Sequence, residues 1–131
     1  MTSNRRSHIA DVLDVSDRRM MPNMLGCSIL GQDTGKPLFT LFFDEELRKN
    51  PTLMAQRMKA GQIRMVHEFG KQNVFTAFVT HETPEAKEYL RALRDRVEKA
   101  FPDGLQEGRI YFLDVVLLQN IFKEVFVDNK K

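Results

Sequence analysis

The sequence predicts an α/β (α+β) fold, a small and mostly antiparallel sheet sandwiched by helices. Three stretches carry that expectation. Residues 25–44 hold two apolar runs joined at Gln32-Asp33-Thr34-Gly35-Lys36, where Asp33 can bond its own downstream backbone and Gly35 can take the positive φ that closes a short hairpin loop. Residues 74–80, Val-Phe-Thr-Ala-Phe-Val-Thr, are β-branched and aromatic and apolar on both faces, as a central strand requires. Thr83-Pro84-Glu85 then opens a helix with a cap, a proline at the first position and an acid where the helix dipole favours one.

The remaining elements follow in chain order. Residues 1–22 read as a polar N-terminal tail with a short helix from Ser7, whose Ile9, Val12 and Leu13 form a narrow apolar stripe. Residues 23–127 read as a single domain and 128–131 as a polar tail. Met20, Met21 and Met24 suit a gap under the sheet edge, because methionine adapts to irregular space. In the first strand Cys27 alternates inward with Leu25 and Ile29. In the second, Leu38, Thr40 and Phe42 point one way and Phe39, Leu41 and Phe43 the other, so cover is expected on both sides.

Residues 44–49 form a charged turn or a single helical turn, and Asn50-Pro51 restarts the chain as cap and first helical residue. The preferred reading is one long helix running through Leu53, Met54, Met58, Ile63, Met65, Val66 and Phe69, interrupted by Gly61. The alternative ends the helix at Gly61 and makes 63–69 a strand paired with the next one through Gly70-Lys71-Gln72-Asn73. The helix is preferred because Met65 and Val66 adjoin and strict alternation would bury His67. After the central strand, Ala86, Tyr89, Leu90, Leu93, Val97 and Phe101 form one stripe at helical spacing, opposite a charged side, and Pro102-Asp103-Gly104 ends the helix.

The tail, 109–127, is the most apolar segment and reads as a helix from about Tyr111. Apolar residues wrap most of its circumference, leaving a thin polar side of Asp114, Gln119, Asn120, Lys123 and Glu124. Such a helix in a small protein is wedged between other elements or pairs with another chain. The stripe Phe112, Val115, Leu118, Phe122 and Phe126 is therefore the candidate partner-binding surface, together with the hairpin edge.

Composition bounds the function without naming it. The 131 residues carry a formal charge of +2, too small to imply a nucleic-acid partner. Cys27 is the only cysteine, which excludes an intramolecular disulfide and fits a reducing cytoplasmic compartment. The basic N-terminus lacks the apolar core of a signal peptide, and neither end carries a lipidation motif, so direct membrane insertion is not expected. His8, His67 and His81 show no metal-ligand spacing. His81 with Glu82, at the end of the central strand, and Cys27 are the residues an enzyme would use, but a strand-end polar residue and a small core residue account for them. Gly31-Gln-Asp-Thr-Gly-Lys36 has the glycines and lysine of a phosphate loop, yet Pro37 stands where such a loop needs a helix. Arg57, Lys59, Arg64 and Lys71 are explained as a solvated helix surface. No metal or cofactor is expected.

Leu25-Gly-Cys-Ser-Ile-Leu30 followed by Thr34-Gly-Lys-Pro-Leu-Phe39 resembles the opening hairpin of the longin-like and roadblock-like group of small α/β domains. Residues 53–69 look like that group's first helix, and 74–126 follow its order of elements more loosely, so about 100 residues are covered. The chain departs from the group in having room for fewer than five strands. The resemblance implies a non-enzymatic adaptor, dimeric or held in a larger complex, of the kind that serves small-GTPase regulation, trafficking or polarity, with the partner a second copy or a small GTPase. The second expectation is a profilin-like small-molecule sensor with a pocket lined by Phe42, Phe78 and the methionines, and the third an enzyme using His81 or Cys27.

Overall fold

The computed structural model describes residues 23–129, with side chains as far as Phe126. The short helix expected from Ser7, and Met20 and Met21, lie outside the described residues. Four strands, β1 (Met24–Gly31), β2 (Pro37–Phe42), β3 (Arg64–Phe69) and β4 (Asn73–Val79), form one sheet in the order β2-β1-β4-β3, every neighbouring pair antiparallel. Helices α1 (Glu45–Lys49) and α2 (Thr52–Lys59) fall between the two hairpins, and α3 (Pro84–Ala100) and α4 (Phe112–Asn129) follow the sheet. The protein is thus a small mixed α/β domain whose four-stranded antiparallel sheet is packed by helices.

The turns are set by local chemistry. Gly35 has φ +69°, the hairpin closes through Gly31 N to Lys36 O at 2.9 Å, and Thr34 rather than Asp33 supplies the side-chain bond, accepting from Lys36 N. Gly61 has φ +76° and stops α2, because only glycine takes that conformation without strain. The long helix through 63–69 is therefore corrected: those residues turn back as β3 and pair with β4, with Gly70 N bonding Asn73 O at 2.9 Å. Alternation does not bury His67. It places Val66 in the core and leaves Met65, His67 and Phe69 exposed on the other face.

One face of the sheet carries the main core. Cys27, Ile29, Phe75, Ala77, Val79 and Val66 meet Tyr89, Leu90, Leu93 and Val97 of α3 and Leu118, Phe122 and Phe126 of α4. The two helices divide the sheet: Glu68 of β3 bonds Lys87 and Arg94 of α3, while Phe39 of β2 packs edge-on to Phe122 of α4 at 5.1 Å. Leu25 does not join Cys27 and Ile29 as alternation predicts. The register shifts between Met24 and Gly26, Leu25 O accepts from both Phe43 N and Asp44 N, and Leu25 turns to the opposite face while Met24 enters the main core.

The opposite face holds a smaller cluster, Leu25, Leu47 and Ile63, against which Phe42, Phe78, Leu53, Met54 and Met58 pack. Gly26 lies between Phe42 and Phe78 in the register, and the two rings stack across it at 6.1 Å. A Cβ there would stand 2.8 Å from Leu41 O and 2.9 Å from the Phe42 ring, so the glycine is required by contact. At the far end, buried Asn73 donates to Leu30 O and Leu105 O and accepts from Leu105 N at 2.9 Å, holding the 102–110 loop to the sheet as a second peptide group would.

Candidate functional site

The outer side of α4 is the part of the described surface that the fold leaves most apolar. The helix opens at Tyr111, whose N–H donates to the Asp114 carboxylate at 2.9 Å, half of a capping box, and Asp114 in the first turn also suits the helix dipole. Phe112 is 77% exposed and Leu113 75%, with Tyr111, Val116 and Leu117 exposed beside them. Phe112, Leu113, Val116 and Leu117 recur at helical spacing and so share one side over nearly two turns. On the same side further along stand Asn120 and Glu124, and Glu124 pairs with Arg96 of α3 at 3.1 Å. The outward side of one helix is thus apolar in its first half and polar in its second.

The five residues singled out from the sequence divide across this helix. Leu118, Phe122 and Phe126 are wholly buried against β2 and α3, where Tyr89 Oη donates to Phe122 O at 3.2 Å and the Phe126 ring lies tilted against Phe43 at 5.1 Å. These three are core residues, inaccessible to a partner of the folded chain. Val115 is half-buried, and Phe112 alone stands out in solvent. Sequence reasoning missed Leu113, Val116 and Leu117. A signal for them existed: stepping back four and eight residues from the polar Asn120 and Glu124 arrives at Val116, and Leu113 lies seven before Asn120. Helical phase therefore marks these as the outer side.

The other candidates are placed as follows. The Cys27 thiol is fully buried in the core, and burial pushes its pKa well above the ordinary value, so it is held as the unreactive thiol. Beside it the Tyr89 hydroxyl is pushed up as well, first by burial and then by the neighbouring Cys27. His81 and Glu82 are exposed after β4, the His81 Nδ1 lying 3.2 Å from Thr80 Oγ1. His67 Nδ1 meets Thr76 Oγ1 at 2.8 Å on the sheet. Among the described residues no group of three or more His, Cys, Asp or Glu side chains is arranged to hold a metal ion, and no helix is long and apolar enough to cross a membrane. Phe42 and Phe78, expected to line a pocket, pack against the cluster of Leu25, Leu47 and Ile63, as Met54 and Met58 do. The clefts lie at the loop end, one of about 380 Å³ between the first hairpin turn and 105–107, the other of about 440 Å³ between 101–106 and the start of α4. Their walls mix amides, carboxylates and backbone with apolar side chains, Leu38 and Leu105 at the first and Phe101, Leu105 and Tyr111 at the second, where Arg109 also stands.

The basic residues once grouped on one helix are dispersed, Arg57 and Lys59 on α2, Arg64 on β3 and Lys71 in the turn. A real charge cluster forms elsewhere: Glu68, mostly buried, is ringed by Lys87 at 3.2 Å, Arg91 at 3.7 Å and Arg94 at 2.9 Å, successive outward positions of α3. Lys87 also donates to His67 O at 2.8 Å, occupying a backbone acceptor of the edge strand β3. That arrangement pins α3 to the sheet and blunts its edge against stray pairing.

Comparison of the chain with protein-family models, with curated proteins and with solved structures gives no match, so its function has to be read from its own geometry.

Proposed function

We propose that the chain is a protein-interaction module of longin-like or roadblock-like architecture, acting as a dimer or as a subunit of a larger complex rather than as an enzyme. The single observation that carries this reading is the outer side of α4, where Tyr111, Phe112, Leu113, Val116 and Leu117 are exposed next to one another. Burying one large apolar side chain is worth about 1.5–3 kcal/mol, and four on one side of a helix with Tyr111 beside its start would supply the centre of an interface. The antiparallel sheet with helices inserted between its hairpins and after it supports the architectural part. A small GTPase as partner, and a cytoplasmic site of action, rest on the resemblance and on cysteine usage rather than on the surface itself.

Self-association is the first arm to test. Light scattering over a hundredfold concentration range should give a mass above the 15.2 kDa of one chain for the native protein, and 15.2 kDa for Leu113→Asp. A native monomer at every concentration would remove the dimer from this reading. The profilin-like alternative would then come first, with a ligand-dependent thermal shift as its test.

A further inference from the structure

Residues 48–62 contain no buried side chain, the longest such run among the described residues. They are bracketed by two anchors of the smaller core, Leu47 at 0% exposure and Ile63 at 4%. Helix α2 lies between these anchors and buries no residue, whereas α3 buries Ala86, Tyr89, Leu90, Leu93 and Val97. Leu53, Met54 and Met58 of α2 rest half-buried on the cluster of Leu25, Leu47 and Ile63, and the main core takes nothing from 44–62. Removing α2 would therefore leave the main core as it is.

The helix has little to hold it together by itself. It spans eight residues, fewer than the ~12–15 an isolated helix needs. Asp44 and Thr83 cap α1 and α3 through their side chains, but Pro51 at the N-cap of α2 offers no such bond, and the first turn holds no acid. Its side-chain ties run to α1 and to the turn before it: Arg57 pairs with the exposed Glu46, and Thr52 Oγ1 donates to Asn50 Oδ1 at 2.6 Å. A surface ion pair of that kind contributes little. At the other end Gly61 stands at φ +76°, with no atom within 4 Å of where a Cβ would be, so the joint is free of packing.

We propose that α2 is a lid: residues 50–61 detach and unfold as one unit while α1, the sheet, α3 and α4 stay folded. Leu47 and Ile63 hold the two ends, and Gly61 is the hinge. Opening bares the part of the Leu25, Leu47 and Ile63 cluster on which α2 rests and releases Leu53, Met54 and Met58, so the domain presents a second apolar surface only in the open state. Two of the three released side chains are methionines, which adapt to the shape they meet. Because the segment stays tethered at both ends, it recloses faster than amides exchange, and hydrogen exchange then reads the open population.

Native-state hydrogen exchange of the full chain tests the lid. The amides of Met58, Lys59 and Ala60, the last bonded to Gln56 O at 3.1 Å, should share one protection factor, at least about a hundredfold below that of Ala77 in β4. Phe122→Ala separates lid opening from global unfolding: it should speed exchange at Ala77 by about a hundredfold or more and leave the three α2 amides unchanged. Should that variant fail to fold, the milder Thr83→Ala should give the same contrast at about fivefold. If the α2 amides accelerate in step with Ala77, α2 opens only with the whole domain and the proposal is overturned. Three unrelated rates also overturn it, because they mark a fraying end rather than a unit. Gly61→Ala meets no atom and adds only strain at the hinge, so it should speed the α2 amides by about fivefold or more; unchanged rates there overturn the hinged lid as well.

Discussion

Helices α3 and α4 pack side by side on the same sheet face, yet they are built on opposite plans. In α3 the apolar residues keep to one stripe, Ala86, Tyr89, Leu90, Leu93 and Val97 all buried, and the charged side faces water or, through Lys87, Arg91 and Arg94, the Glu68 carboxylate. In α4 Leu118, Ile121, Phe122, Val125 and Phe126 are buried while Phe112 and Leu113, with Tyr111 just before them, are among the most exposed apolar residues described. A stripe defines one contact. In α4 the apolar residues exceed what one contact uses, so one side is satisfied by the fold while the first half of the other stays exposed.

The contrast can be broken experimentally, beginning with the largest effect. Phe122→Ala empties a fully buried ring site that touches Phe39 and should cost about 3–5 kcal/mol in denaturant unfolding. Loss of less than about 1 kcal/mol would mean that α4 is not anchored by that side. Next comes the pH dependence of the core between the two helices. Burial raises the pKa of Cys27 and Tyr89 in the folded state. Their stabilising contribution is complete below the unfolded-state values, about 8.5 for cysteine and about 10 for tyrosine, and is lost as pH climbs toward the raised folded values. Unfolding free energy should therefore fall above pH 8.5, by at most about 1.4 kcal/mol per pH unit for each group. In Cys27→Ala the slope between the cysteine and tyrosine values should flatten, and an unchanged slope would show that the thiol is not the group responsible.

Smaller effects sharpen the same comparison. Thr83→Ala removes the α3 cap bond to Ala86 N and should cost about 1 kcal/mol, read by thermal unfolding. Leu113→Asp on α4 should change stability by no more than about 0.5 kcal/mol while abolishing self-association. If it unfolds the protein instead, the outer side of α4 is structural and the interface reading fails.

Much of this was legible beforehand because it depends on neighbours in sequence. The Gly35 turn, the Thr83-Pro84-Glu85 helix start, the stripe of α3 and the two central strands all follow from φ preference, capping and periodicity. The path of 61–69 was not legible, since Gly61 was weighed against the adjoining Met65 and Val66 and the apparent burial of His67, an ambiguity that only pairing with β4 resolves. Leu25 was misplaced for a similar reason: a single irregularity in register reverses the face of a side chain, and no local signal announces it. As for the site, the sequence showed that α4 had more apolar surface than one contact could use. It could not show which side the core would take.

The sequence by itself therefore determined the first hairpin, the central strand, the two long C-terminal helices and the excess of apolar surface in the last of them, because these are set by covalent geometry and by residues a few positions apart. Only the tertiary structure decided that β3 is a strand, that Leu25 and Cys27 face opposite ways, and that Leu118, Phe122 and Phe126 lie inward while Phe112 and Leu113 lie outward. Those outcomes depend on which distant surfaces meet, as Phe39 and Phe43 meet α4, and burial is a property of the assembled layers rather than of any segment.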